Sequence, residues 1–129
     1  MIIIRGANYF PGDFEHLAQT AHPLLQKGLC AAFADRAHPE RVVIVVETDR
    51  AAQRAELATA AAQGLRAVTA QLPVQTELLL IPVGMLPRTT SGKVRRLECS
   101  ARHLDGTLRV LWSSNDAELP QPAEPISRP

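Results

Sequence analysis

Five consecutive β-branched residues, Val42-Val43-Ile44-Val45-Val46, constrain the fold of this chain more than any other feature. Branching at Cβ restricts χ1 and favours an extended backbone, and a run without polar alternation has no face to give to water. The segment from Arg41 to Glu47 is therefore expected to be a central strand, covered on both faces. The 129 residues, 46% of them apolar, suffice for one domain with a real core and exclude disorder as a description of the whole chain. The formal net charge is only +1, so no global field recruits nucleic acid or an anionic membrane. The longest apolar stretches, such as Leu78 to Val83, fall far below the roughly 18 residues of a membrane span. Met1-Ile2-Ile3-Ile4-Arg5 is too short an apolar run for a signal peptide and has no basic leader, which makes a cytoplasmic address the expectation. Cys30 and Cys99 sit in no metal-ligand or CxxC spacing and are expected to be reduced and structural.

Other elements follow from periodicity and punctuation. Ile2 to Arg5 reads as a strand, followed by a turn at Gly6-Ala7-Asn8. Phe14, Leu17, Ala18 and Ala21 recur at helical spacing behind Pro11, which predicts a helix from Pro11 to His22, closed by Pro23. Leu29 to Ala34 reads as a strand joined to the central one by a hairpin loop at Asp35 to Pro39. Thr48 or Asp49 is the expected N-cap of the longest helix, which carries Leu57, Ala61, Leu65, Val68 and Leu72 on one face, tolerates Gly64 as a weak point and stops before Pro73. Gln75 to Val83 returns to strand, with Pro82 at an edge or exit. A loop from Gly84 to Lys93 precedes a short helix marked by Leu97, Ala101 and Leu104 and ended by Gly106. The fold class is α+β: a small mixed sheet flanked by two main helices plus a short C-terminal helix. The domain is expected to occupy residues 1 to 112, with Trp112 as a packing anchor, and the Pro-rich tail from 113 to 129 to be disordered.

Charge is concentrated where the chemistry is. Between Arg88 and His103, five basic side chains (Arg88, Lys93, Arg95, Arg96 and Arg102) stand against Glu98 alone. Hydroxyls, a glycine beside a lysine and a fork of arginines make the loop suited to an oxyanion. It is not a Walker loop, because seven residues separate Gly84 from Gly92 and Val94, not a hydroxyl residue, follows Lys93. With no aromatic residue interleaved for base stacking, a nucleic-acid patch is the weaker alternative. The plain alternative is a solvated basic loop, with Ser91 capping the next helix and Arg95 and Arg96 facing water. His16 and His22, six residues apart on one helix, lie on different faces, so no metal site is expected. Asp13 and Glu15 read as favourable charges near a helix N-terminus, and Cys99 as a buried helix residue.

Pro87 to Arg96, PRTTSGKVRR, resembles the C-terminal signature of the adenylate-forming superfamily: acyl-CoA synthetases, luciferases, peptide-synthetase adenylation domains and fatty acyl-AMP ligases. The opening IIIRGANYFPGDFE resembles the strand, glycine turn and helix that begin the same small C-terminal subdomain, and its Asn-aromatic-Pro-x-Asp-x-Glu form is closest to the fatty acyl-AMP ligase branch. The resemblance covers about residues 2 to 111 and implies the following roles. Lys93 is the lysine that enters the active site when the lid closes, near the substrate carboxylate and the α-phosphate. Arg88, Thr89, Thr90, Ser91 and Gly92 form the nucleotide-facing loop around it. Arg5 and Gly6 line the passage for a phosphopantetheine arm in the alternative lid orientation, although Ala7 and Tyr9 stand where the family commonly has other residues. ATP and Mg2+ are implied as cofactors, bound mainly by a large N-terminal adenylation domain that this sequence does not contain, and none is expected in this chain alone. That domain, in cis or in trans, and an acyl carrier protein are the implied partners, with no nucleic acid and no membrane. By this reading the chain is inactive without the large domain, and a carrier-protein interaction module that kept the lid fold is the alternative.

Overall fold

The computed structural model describes residues 1–114. Strand β1 (Ile2–Ile4) turns directly into β2 (Ala7–Tyr9), pairing Ile2 with Tyr9 and Ile4 with Ala7. The turn is therefore Arg5-Gly6, one residue earlier than the sequence suggested. Both residues are left-handed, with φ of 51° and 81°, and positive φ at both central positions is what matches a two-residue turn to the twist of its strands. Ala7 and Asn8 are released into the ladder. Ile2 and Ile4 face the core and Ile3 faces out, the alternation of a half-buried strand.

Helix α1 (Pro11–Gln19) stops three residues short of His22. Thr20 Oγ1 bonds back to His16 O at 2.8 Å, and His22, held extended by the following proline, opens a 3-10 turn over Pro23–Gln26 with its Nδ1 accepting from Leu24 N at 3.1 Å. Strand β3 (Cys30–Ala34) then pairs antiparallel with β4 (Arg41–Thr48). Helix α2 (Arg54–Gln71) is the crossover that lets β5 (Gln75–Pro82) lie parallel to β4, and the sheet closes with a short antiparallel β6 (Trp112–Ser113), in the order β3-β4-β5-β6. Pro82 is the last residue of an interior strand, its exit.

The mixed sheet is covered on both sides, as the β-branched run requires. Val42, Ile44 and Val46 pack with Ile2, Ile4, Phe14 and Leu57 under the hairpin, α1 and α2. Val43 and Val45 pack with Phe33, Ile81, Leu86 and Cys99 under the loop after β5 and helix α3 (Arg96–Asp105). Burial pushes the Cys99 thiol up to about 12, against the opposing charge of Arg102, and raises Cys30 as well, so both cysteines are inert core residues.

The structure corrects three local expectations. Helix α2 starts at Arg54 rather than beside Thr48 or Asp49, with the Glu56 side chain accepting from Gln53 N at 3.2 Å. Thr48 is claimed by the sheet, and its hydroxyl donates to Leu24 O at 2.7 Å. The domain boundary moves outward: Ser113 pairs with Leu79, and Ser114 Oγ accepts from Leu78 N at 2.9 Å. The prolines at 120, 122, 125 and 129 lie outside the described residues. Finally, Gly64 is a packing requirement. A methyl group there would sit 2.7 Å from Leu25 Cδ1 and 3.1 Å from Leu78 Cδ1, and both leucines are fully buried. Gly64→Val is accordingly expected to cost about 1–3 kcal/mol in overpacking; a thermal melt at or above the parent value would show slack in this interface.

Candidate functional site: the loop after β5

The chain leaves β5 at Pro82 and folds back over the end of β4, where Glu47 closes the apolar run. Glu47 is 1% exposed. Its Oε2 accepts from Gly84 N at 2.9 Å, Leu86 N at 2.8 Å and Arg88 Nη2 at 2.6 Å, while Oε1 accepts from Leu29 N at 2.9 Å. A buried carboxylate is tolerable when its lone pairs are filled this way. Beyond Arg88 the chain makes a tight reverse turn. Arg88 bridges Val94, Arg95 N donates to Pro87 O at 2.9 Å, and Thr89 N donates to Lys93 O at 2.7 Å. Thr89 Oγ1 accepts from Lys93 N at 3.1 Å and lies 3.0 Å from Ser91 Oγ. Gly92, at φ 89°, supplies the left-handed step that a side chain would strain.

Of the five basic residues in this stretch, four face carboxylates. Arg88 holds Glu47, Arg95 and Arg102 share Glu98, and Arg96 holds Glu15 bidentately at 2.8 Å and 2.8 Å. Lys93 is exposed, and its ammonium has no ion pair or hydrogen bond among the described residues. Thr89, Thr90, Ser91 and Gly92 are exposed around it. Ser91 lies within the turn and caps nothing, since α3 begins five residues later at Arg96. Neither Arg95 nor Arg96 is simply solvated. Glu15 also accepts from Ala32 N at 2.8 Å, so the Glu15–Arg96 pair straps α1 to α3 around the open edge of β3.

Arg5 and Gly6 sit elsewhere. Arg5 lines a cleft of about 400 Å³ with Glu40, Pro73 and Gln75, at the beginning of β4 and β5, whereas Glu47 and Arg88 mark the end of β4. Six residue steps along the strand lead from Arg41 to Glu47, roughly 20 Å at the rise of an extended chain. No one small ligand bridges the Arg5–Gly6 turn and Lys93 within this subdomain.

A second buried polar group lies at the Arg5 end of the sheet, on the α3 side. Asp35 accepts from Arg41 Nη2 at 2.7 Å and Nε at 3.0 Å. Arg41 also lies 4.0 Å from Glu77 Oε1, and His103 Nε2 lies 3.7 Å from it. Burial works to raise the Asp35 carboxyl, but bonds from Arg41 and Ala37 N outweigh it and hold the group below its ordinary value. The neighbouring His103 imidazole lowers Glu77 against burial, helped by the Arg41 charge. Asp35, Glu77 and His103 are of metal-ligand type and close enough to share an ion. With a guanidinium already on Asp35, this donor set suits an ion-pair network and not Mg2+.

No family model matches the chain. Among curated proteins, it is 36% identical over 111 residues to the medium-chain-fatty-acid–[acyl-carrier-protein] ligase JamA of Moorena producens, spanning 84% of this chain and 19% of that protein. It is 31% identical over 138 aligned positions to the long-chain-fatty-acid–AMP ligase FadD32 of Mycolicibacterium smegmatis, spanning 90% and 22%. A solved structure from studies of fatty acyl-adenylate ligases of E. coli and L. pneumophila superposes with a TM-score of 0.70 at 26% identity, over 81% of this chain and 18% of that one. The chain matches the C-terminal subdomain of fatty acyl-AMP ligases, in the adenylate-forming superfamily. It spans about a fifth of the length of the curated relatives it matches. A fatty acyl-adenylate ligase of L. pneumophila solved with acyl adenylate and pyrophosphate carries the same fold, with a TM-score of 0.63 at 25% identity.

In this subdomain, two residues that organise the loop escaped the sequence reading. Glu47 had one visible signal, a lone acid ending an unbroken apolar strand. Gly28 had none. A methyl group on Gly28 would lie 2.5 Å from Glu47 Oε1 and 2.9 Å from its Cβ, so the glycine makes room for the carboxylate. Gly28→Ala is expected to displace Glu47 and destabilise the subdomain by about 1–3 kcal/mol, with amide shifts in an NMR spectrum concentrated at Gly84, Leu86 and Arg88. Shifts confined to the neighbours of Gly28 would contradict this.

Proposed function

We propose that this chain is the mobile lid of a fatty acyl-AMP ligase and that Lys93 is its catalytic group. When a fatty acid carboxylate attacks the α-phosphate of ATP, two anions converge and negative charge grows on the phosphoryl oxygens as pyrophosphate leaves. A compact ammonium placed between them lowers that barrier. The observation that carries this reading is the selective freedom of Lys93. The four arginines around it are spent on Glu47, Glu98 and Glu15, and among the described residues Lys93 has no such partner and projects from a braced turn. Thr89, Thr90, Ser91 and Gly92 form the nucleotide-facing rim of that turn, and Arg88 anchors it.

Placement of Arg5 and Gly6 at the other end of the central strands supports a second orientation, in which the hairpin turn lines the path of a carrier-protein phosphopantetheine arm while Lys93 is withdrawn. ATP, fatty acid and Mg2+ bind to a large adenylation domain, in the cytoplasm, and the lid binds none of them alone. The test is to add the purified chain to the large domain of a fatty acyl-AMP ligase with ATP and fatty acid. The rate of acyl-AMP formation rises above that of the large domain alone if the reading is right, and stays at that level if it is wrong.

A further inference from the structure

We propose that Glu47 is a positioning residue for Lys93, an inference that rests on the lid reading and deepens it. A strand as apolar as β4 gains nothing in packing by ending on a carboxylate, since burying one costs free energy that an aliphatic side chain would not. What the carboxylate provides is convergence. Gly84 N, Leu86 N and the Arg88 guanidinium, spread over five residues of loop, all donate to one oxygen. The other oxygen takes Leu29 N, which fixes the group to the sheet side.

From Arg88 the bracing continues to the lysine without Glu47 touching it. Arg88 bridges Val94, Arg95 N closes on Pro87 O, and the backbone of Lys93 is held on both sides by Thr89. Glu47 thus fixes the base of the turn and the turn fixes the Cα of Lys93, leaving only the side chain to move. This matters because a displacement of about 1 Å in a reacting group can cost on the order of 100-fold in rate.

Glu47→Gln keeps the size of the side chain but turns one acceptor into a donor facing donors. Two readouts test the proposal. In the chain alone, amide hydrogen exchange at Leu86, Thr89, Lys93 and Arg95 is expected to quicken while Val43 and Val45 in the sheet keep parent rates. In the large-domain mixture, kcat for acyl-AMP formation is expected to fall about 10- to 100-fold with KM for ATP and fatty acid nearly unchanged. Arg88→Met, which removes one loop donor and leaves the backbone donors on Glu47, is expected to move both readouts the same way and serves if Glu47→Gln does not fold. Loop exchange at the parent rate overturns the proposal, as does quickened loop exchange with kcat unchanged. If the parent chain gives no acceleration at all, the lid reading falls, and the exchange experiment by itself decides whether Glu47 holds the loop.

Discussion

Lys93→Ala is expected to remove nearly all of the acceleration that this chain gives to a fatty acyl-AMP ligase large domain, a loss of about 100- to 1,000-fold in the rate of acyl-AMP formation. The magnitude is that of withdrawing one preorganised positive donor from a site where charge develops. Stability should not change, because Lys93 is exposed and has no ion pair among the described residues, and surface substitutions of that kind stay within about 0.5 kcal/mol. Lys93→Arg should recover only part of the activity, since a planar fork does not replace a point charge between two reactants. A thermal melt run beside the rate assay separates chemistry from folding. An alanine variant that melts like the parent and accelerates as well as the parent would assign Lys93 to the solvated surface.

The largest stability effect is expected at the other end of the sheet. Arg41→Met leaves Asp35, 1% exposed, and Glu77, 6% exposed, without the guanidinium between them. Breaking a buried pair by removing one partner costs about 3–5 kcal/mol, a large share of the 5–15 kcal/mol typical of a domain. The pH dependence should weaken with it. In the parent both carboxyls titrate below their ordinary values of 3.8 and 4.5, so they contribute stability above those values and lose it as pH falls through the lowered ones. Without Arg41, Asp35 loses its strongest opposition to burial and its carboxyl moves up from the parent value. Ionisation then stabilises the variant less than the parent, so the deficit of the variant should be large at pH 7 and narrow toward pH 4. Urea titrations at both pH values check this, and a deficit that is constant with pH would place the cost outside the carboxylates.

The architecture was legible because its main signals are local. The run from Val42 to Val46 announces a strand with two covered faces, and Pro73, Pro23 and Gly106 punctuate the helices around it. Element ends were less legible where a tertiary partner decided them: Thr48 looks like a helix cap but is held by β5 and by Leu24 O, and Ser113 looks like tail but pairs with Leu79. The hairpin turn slipped by one residue because Arg5 takes a conformation rarely adopted by side chains other than glycine.

At the candidate site, PRTTSGKVRR points to the loop and to Lys93, yet its division of labour lay outside any window. Arg88 meets Glu47 from 41 residues away and Arg96 meets Glu15 from 81. Read in sequence the two arginines are members of one basic cluster. In the fold one braces the turn, the other straps two helices, and among the described residues the lysine is left without an ion-pair partner.

The chain contains two lysines, Lys27 and Lys93, both exposed, which allows a direct test of lid closure. Amine labelling of the chain is measured residue by residue, alone and with the large domain bound to a non-hydrolysable acyl-adenylate analogue. Delivery of Lys93 to the adenylate predicts that Lys93 becomes protected while Lys27 labels as before. Equal labelling of Lys93 in both states would contradict the account.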